Sequence, residues 1–161
     1  MTVYHGSDVV VEHPVIIEQN RFLNFGFGFY TKTNREQAVA FAHKVSQRRK
    51  INTAIVNVYN VDEKLAFSEC SALRFDGADD KWLDSVTQNR SLRDTYVCDC
   101  VASLLISLLI SKLVSIRVAD AGVLSKQQTL EALKVRKLYN QLVFTTDRAL
   151  CYLEFIKKEL V

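Results

Sequence analysis

The sequence is poor in the residues that break or staple a chain. One proline and five glycines among 161 residues leave little material for long flexible linkers. Four cysteines, Cys70, Cys98, Cys100 and Cys151, are too few for a disulfide scaffold. Only Cys98 and Cys100 are close, and a single intervening residue is not a zinc-ligand spacing. His5, His13 and His43 add no second metal pattern, so no metal is expected, and free thiols in a reducing compartment are. No apolar run reaches the roughly 20 residues of a membrane span; the longest, Cys100 to Ser111, lies between Asp99 and Lys112. The first residues, with Asp8 and Glu12, lack the basic start and apolar stretch of a signal peptide, so a cytoplasmic location without membrane contact is expected. Charge of one sign is also lacking. Twenty-one Lys and Arg against 18 Asp and Glu leave +3, too little to argue for nucleic acid.

What remains is ordinary globular composition, 48% apolar and 24% charged, which excludes a disordered or collagen-like chain. A chain of this length buries roughly 70% of its unfolded surface and folds without covalent help. Thr2 to Tyr4 predicts a short strand, broken by His5-Gly6-Ser7, and Val9 to His13-Pro14 predicts a loop. Phe25-Gly26-Phe27-Gly28-Phe29-Tyr30 alternates glycine with aromatics, so an extended strand there has one bare face. Either another strand or a flat ligand lies close to that backbone.

Thr33 and Glu36 have capping-box spacing for a helix along which Ala38, Phe41, Ala42 and Val45 recur at helical spacing. Arg48-Arg49-Lys50 suits the end of that helix, either as a solvated terminus or as a phosphate contact. Thr53 to Tyr59 predicts a strand, and Lys81 to Asn89 a helix with Trp82, Leu83 and Val86 inward. Thr95 to Val101 predicts a strand with Cys98 and Cys100 on one face, and Leu104 to Arg117 a helix, either buried core or an apolar face covered by a partner. Ser125 and Gln128 form a second capping box, opening a helix through Leu130, Leu133 and Lys137. Leu142 to Phe144 predicts a strand, after which Thr146 caps a final helix with Leu150, Leu153, Phe155 and Ile156. Strands and helices mix without regular βαβ alternation, so the class is α+β, one domain over residues 1–161.

Three short segments carry the chemistry: Tyr4-His5-Gly6-Ser7, Gly26-Phe27-Gly28-Phe29-Tyr30-Thr31 and Asn140-Gln141-Leu142. The bare Gly6 backbone beside His5 can approach a ligand, Tyr30 ending a glycine-thinned strand can stack on an aromatic ring, and Gln141 begins a late strand. Taken singly, each also has a purely structural explanation.

Through these segments, together with Asn24-Phe25 and Phe155-Ile156-Lys157, nearly the whole chain resembles the bacterial domain-of-unknown-function family 3990, a relative of the ADP-ribosyltransferases. The resemblance implies a split pair of small β-sheets with flanking helices, and NAD as substrate in the cleft between them. By that resemblance His5 would fix the ribose, Tyr30 would stack on nicotinamide and Gln141 would stand where the superfamily carries glutamate. Tyr4, Gly6, Ser7, Gly28, Phe29 and Thr31 would line the NAD site, with the Gly6 N–H and C=O holding the carboxamide. ADP-ribose would pass to a macromolecular acceptor, chosen by loops near Leu73 to Asp80. A small neutralising protein, as in toxin–antitoxin pairs, is the further implied partner. The alternative is an inactive module of the same fold that binds NAD, ADP-ribose or a protein. Nucleic-acid binding through Arg48, Arg49 and Lys50 is disfavoured, since no aromatic platform is interleaved there. Two departures bear on catalysis. Gln141 brings no charge, although glutamine is usual at this place in the family. Asp99-Cys100-Val101-Ala102-Ser103-Leu104 lacks the acidic pair that relatives tend to carry after a Gly-Pro-Val-Ala run.

Overall fold

The computed structural model describes residues 1–17, 25–75, 79–91, 100–103, 125, 127–128 and 141–161. The expected helices from Leu104 to Arg117 and through Leu130, Leu133 and Lys137 lie outside these residues, as do Asn24, Cys98 and Asp99. The strands are β1 (Thr2–Ser7), β2 (Phe29–Lys32), β3 (Ile55–Val61), β4 (Ala72–Phe75), β5 (Cys100–Ser103), β6 (Gln141–Phe144) and β7 (Leu153–Leu160). The helices are α1 (Arg35–Arg49), α2 (Glu63–Glu69), α3 (Asp80–Ser91) and α4 (Asp147–Leu150). The class is mixed α+β, as the sequence predicts.

The described strands form one seven-stranded sheet, ordered β4-β5-β6-β2-β1-β3-β7. All neighbours are antiparallel except β4 and β5, which run parallel with α3 between them in the chain. The two halves are thus joined, but only just: β1 and β2 share a single registered pair, Tyr4 with Lys32. On either side the ladders are longer. β1 pairs with β3 from Thr2–Asn60 to Ser7–Ile55, and β2 pairs with β6 from Phe29–Phe144 to Lys32–Gln141.

One face of the sheet carries Val3, Phe29, Tyr59, Leu142 and Phe144, buried with Ala149 and Leu150 of α4. The other is covered by α1, whose Ala38 and Ala42 pack on Val56 and Val58 with Tyr4 half-buried beside them. Trp82, Leu83 and Val86 of α3 are buried, as their spacing predicts.

Four predictions are corrected. The α1 cap is Asn34, whose side chain accepts from the Gln37 N–H at 3.0 Å, one residue beyond Thr33. β1 runs on through His5-Gly6-Ser7, because Gly6 serves a close packing contact and not a turn. A Cβ there would stand 2.2 Å from the Ala38 carbonyl oxygen and 2.8 Å from the Ala42 nitrogen. Phe25 to Gly28 is turn and bend, with Gly26 at φ 73°, so the strand starts only at Phe29. Thr146 does cap α4, accepting from the Ala149 N–H at 3.3 Å, but that helix ends at Leu150; Leu153, Phe155 and Ile156 belong to β7. A bulge between Val58 and Tyr59 leaves Ile156 without a partner across β3, and this masks the strand's alternation. The Ser125–Gln128 box is made as predicted. The Gln128 N–H donates to Ser125 Oγ at 3.2 Å and the Ser125 N–H to Gln128 Oε1 at 2.9 Å.

Cys70 and Cys100 are buried and form no disulfide among the described residues, whereas Cys151 is exposed. No group of His, Cys, Asp and Glu suited to a metal occurs among the described residues. None of their helices is long and apolar enough to cross a membrane.

Candidate functional site

Antiparallel ladders alternate their bonds, and this alternation decides what Gly6 offers. Met1 and Val61 exchange both hydrogen bonds, at 2.6 and 2.8 Å. Every second residue of β1 from there, Val3, His5 and Ser7, therefore bonds to β3. Thr2, Tyr4 and Gly6 turn their N–H and C=O groups the other way, toward β2. Tyr4 meets Lys32 there, and the next rung would be Gly6 with Tyr30. That rung is not in the registered pairing. The Gly6 donor and acceptor thus face a seam between β1 and β2 with no ladder partner among the described residues.

His5 replaces the missing rung. Its Nδ1 lies 2.9 Å from the Tyr30 carbonyl oxygen. A carbonyl can only accept, so Nδ1 carries the proton and Nε2 is left as an acceptor. Burial lowers the His5 pKa, against the raising effect of the Tyr30 bond and with a smaller lowering effect of Lys32. The imidazole is therefore neutral, and it stacks on Phe29 at 4.4 Å between ring centroids.

Tyr30 is half-buried, and its phenol spans the preceding turn. The hydroxyl donates to the Gly26 carbonyl at 2.8 Å and accepts from the Phe25 N–H at 3.1 Å. Phe25 itself is buried and stacks on Phe75. Gly28 lies where a Cβ would stand 2.7 Å from the Phe144 carbonyl. Of the two occupants predicted beside that bare backbone, the neighbour of Gly28 is strand β6. Thr31 is buried, with its hydroxyl donating to the Leu142 carbonyl at 2.8 Å, and Ser7 is buried beside Asp8. Both serve the scaffold.

Gln141 opens β6 opposite Lys32, and Tyr30 stands opposite Val143. Side chains alternate along strands, so Tyr4, Tyr30, Lys32 and Gln141 share the α1 side, while His5 and Phe29 belong to the other. Tyr30 and Gln141 are diagonal neighbours on adjacent strands, a relation of roughly 7–8 Å. The structure thus brings His5 and Tyr30 together by a direct bond. It puts Gln141 on the phenol's side of the sheet and the imidazole on the opposite side, with the seam between. Gln141 is 7% exposed, and its Oε1 has no hydrogen-bond partner among the described residues.

Sequence reading missed Lys32. It is the pivot of the single rung, its Nζ lies 5.9 Å from the centre of the Phe41 ring, and burial and Lys44 lower its pKa to about 8. A lysine two residues after Tyr30 in a short strand was the available signal. The basic tail divides. Arg49 pairs with the buried Asp8 at 2.8 and 2.9 Å, while Arg48 stands over Phe41. The predicted acceptor loop from Leu73 to Asp80 is partly regular, since Leu73 to Phe75 lie in β4 and Asp80 opens α3.

No curated protein and no solved structure matches this chain. A family model described as protein of unknown function (DUF3990) matches residues 1–155, and the chain belongs to that family.

Proposed function

We propose that the chain is an ADP-ribosyltransferase-like protein that binds NAD at the seam between β1 and β2 and transfers ADP-ribose to a macromolecular acceptor. The observation that carries this reading is the open rung. The Gly6 N–H and C=O stand side by side without a ladder partner among the described residues, the donor–acceptor pair a carboxamide needs. A ligand at this seam would meet groups borne on both faces of the sheet, since His5 lies on one side and Tyr30 and Gln141 on the other.

In this reading the nicotinamide carboxamide pairs with Gly6, and Nε2 of the neutral His5 accepts from a ribose hydroxyl. Tyr30 presents its ring beside nicotinamide, held by its bonds to Phe25 and Gly26. The glycosidic bond to nicotinamide breaks with its electron pair leaving on the ring nitrogen, through an oxocarbenium-like sugar. The acceptor nucleophile then bonds to the anomeric carbon and gives up its proton. The Gln141 Oε1 accepts from a second hydroxyl and sets the sugar's orientation. It supplies partial and not formal negative charge, which sets a slow or acceptor-dependent transfer.

A second reading, a binding module without turnover, is favoured by one feature. The registered row Tyr4, Lys32, Gln141 contains no carboxylate and does contain a lysine. The two readings separate on incubation with labelled NAD and a cell lysate, against a His5→Ala/Tyr30→Ala variant verified as folded by circular dichroism. Label transfer that the variant loses supports the transferase. NAD binding without transfer leaves the module, and no NAD binding by the parent protein sinks the transferase and the module's NAD form. Gln141→Glu adds the missing charge, so NAD hydrolysis rises if that charge limits the rate.

A further inference from the structure

On the side of the sheet covered by α1, Lys32 has no anionic partner and two buried amide oxygens have no donor among the described residues. Lys32 is largely buried, yet none of the ion pairs among the described residues includes it. Those pairs are Met1–Glu63, Arg35–Glu159, Arg49–Asp8 and Lys157–Glu159. Its ammonium and the Arg48 guanidinium both approach the Phe41 ring, at 5.9 and 6.0 Å from its centre. Phe41, Lys44 and Arg48 recur at helical spacing and form one stripe of α1. Lys44 is near enough to Lys32 to disfavour its charge. Exposed lysines and arginines on a helix need no counter-ion, but a largely buried ammonium among like charges carries a desolvation cost that no ion pair among the described residues offsets.

Two amide oxygens complete the set. Gln141 lies directly across from Lys32, more than nine-tenths buried, with its Oε1 unpartnered among the described residues. Gln37, one turn before Phe41 on the same stripe, has a buried Oε1 in the same condition. An anion alone would answer the cations and leave both oxygens orphaned. A ligand that carries an anionic group and hydroxyl donors on one small frame answers both.

We infer that Lys32, Lys44 and Arg48 form a phosphate-binding site beside α1, with Gln141 and Gln37 accepting from the hydroxyls of the sugar that bears the phosphate. The ligand class is a small phosphorylated sugar, free or within a nucleotide. The inference does not depend on glycosidic cleavage or on nicotinamide recognition. A polynucleotide is disfavoured, because the flanking Arg35 and Arg49 are already ion-paired and extend no basic track.

Calorimetric titration of the whole protein with ribose 5-phosphate, ADP-ribose, ribose and a single-stranded RNA oligomer tests it. Both phosphorylated sugars bind, ribose does not, and Lys32→Met weakens them by about tenfold or more. Ribose 5-phosphate carries no nicotinamide, so its binding is read independently of NAD binding and the failure of one is distinguishable from the failure of the other. In the unmodified protein, acylation of Lys32 by acetic anhydride, followed by peptide mass spectrometry, slows when ribose 5-phosphate is present. This measurement stands even if the Lys32 variant does not fold. No binding of either phosphorylated sugar, an unprotected Lys32, or preferential binding of the RNA would overturn the inference.

Discussion

Gly6 and Lys32 show how much two side chains, one absent and one long, shape this protein. Gly6 lets α1 approach β1 so closely that a methyl group would collide with helix backbone, which cannot rotate aside. Gly6→Ala is expected to cost about 3 kcal/mol, the upper part of the overpacking range, as a lower urea midpoint at unchanged slope. Lys32 has its pKa lowered from 10.5 to about 8, by burial and by Lys44. The unfolded chain keeps that proton up to the higher value, so between pH 8 and 10.5 unfolding takes up a proton. Stability therefore rises with pH across that window, and below it the full cost persists. Without phosphate, Lys32→Met should raise stability at pH 7 by at most about 3 kcal/mol, with the gain gone near pH 10.5. Denaturation of both proteins over that pH range checks the sign; a gain that grows with pH would refute it. Asp8 behaves oppositely. Burial raises its pKa, but the Arg49 bonds outweigh this and hold it below the ordinary 3.8, so its contribution is complete above that value and is lost as pH falls from there through the lower folded-state value.

Helix starts and strand ends divide what the sequence made legible from what it concealed. Asn34→Ala should cost about 1 kcal/mol, and Thr33→Ala less than ~0.5 kcal/mol, in chemical denaturation. Equal costs would restore Thr33 as the cap. Both residues have a helix-compatible partner three positions on, Glu36 and Gln37, so composition alone does not choose between them. Backbone geometry does, since Asn34 is extended while its side chain reaches the Gln37 N–H. The three inward residues of α3 and the Ser125–Gln128 box were readable because their signals are local. β7 was not, because Leu150, Leu153 and Ile156 stand at helical spacing and the bulge hides the twofold period. α2 also escaped. Its short run offers little apolar periodicity, and its start rests on one bond from the Leu65 N–H to Asp62 Oδ1. For the candidate site, the motifs that place His5 next to Tyr30 were legible. The lysine opposite Gln141 was not, because only strand register brings those two residues together.

The seven strands among the described residues give this chain a frame whose two parts meet at Tyr4 and Lys32. Amide hydrogen exchange should report that division. Val3, His5 and Ser7, bonded within the long β1–β3 ladder, are expected to exchange slowly, and the Gly6 amide, facing the seam, far faster than its neighbours. Added ADP-ribose should slow Gly6 if the carboxamide seat and its surroundings close around a ligand. A Gly6 amide already as protected as His5 would show that this residue has a partner after all. The solitary connection has a mechanical corollary as well. Tension applied across the strands, with β6 drawn away from β3, meets one rung at Tyr4–Lys32 but four registered pairs between β2 and β6. The molecule should therefore tear first along that line, and each part should come away with its own hydrogen-bonded strands intact.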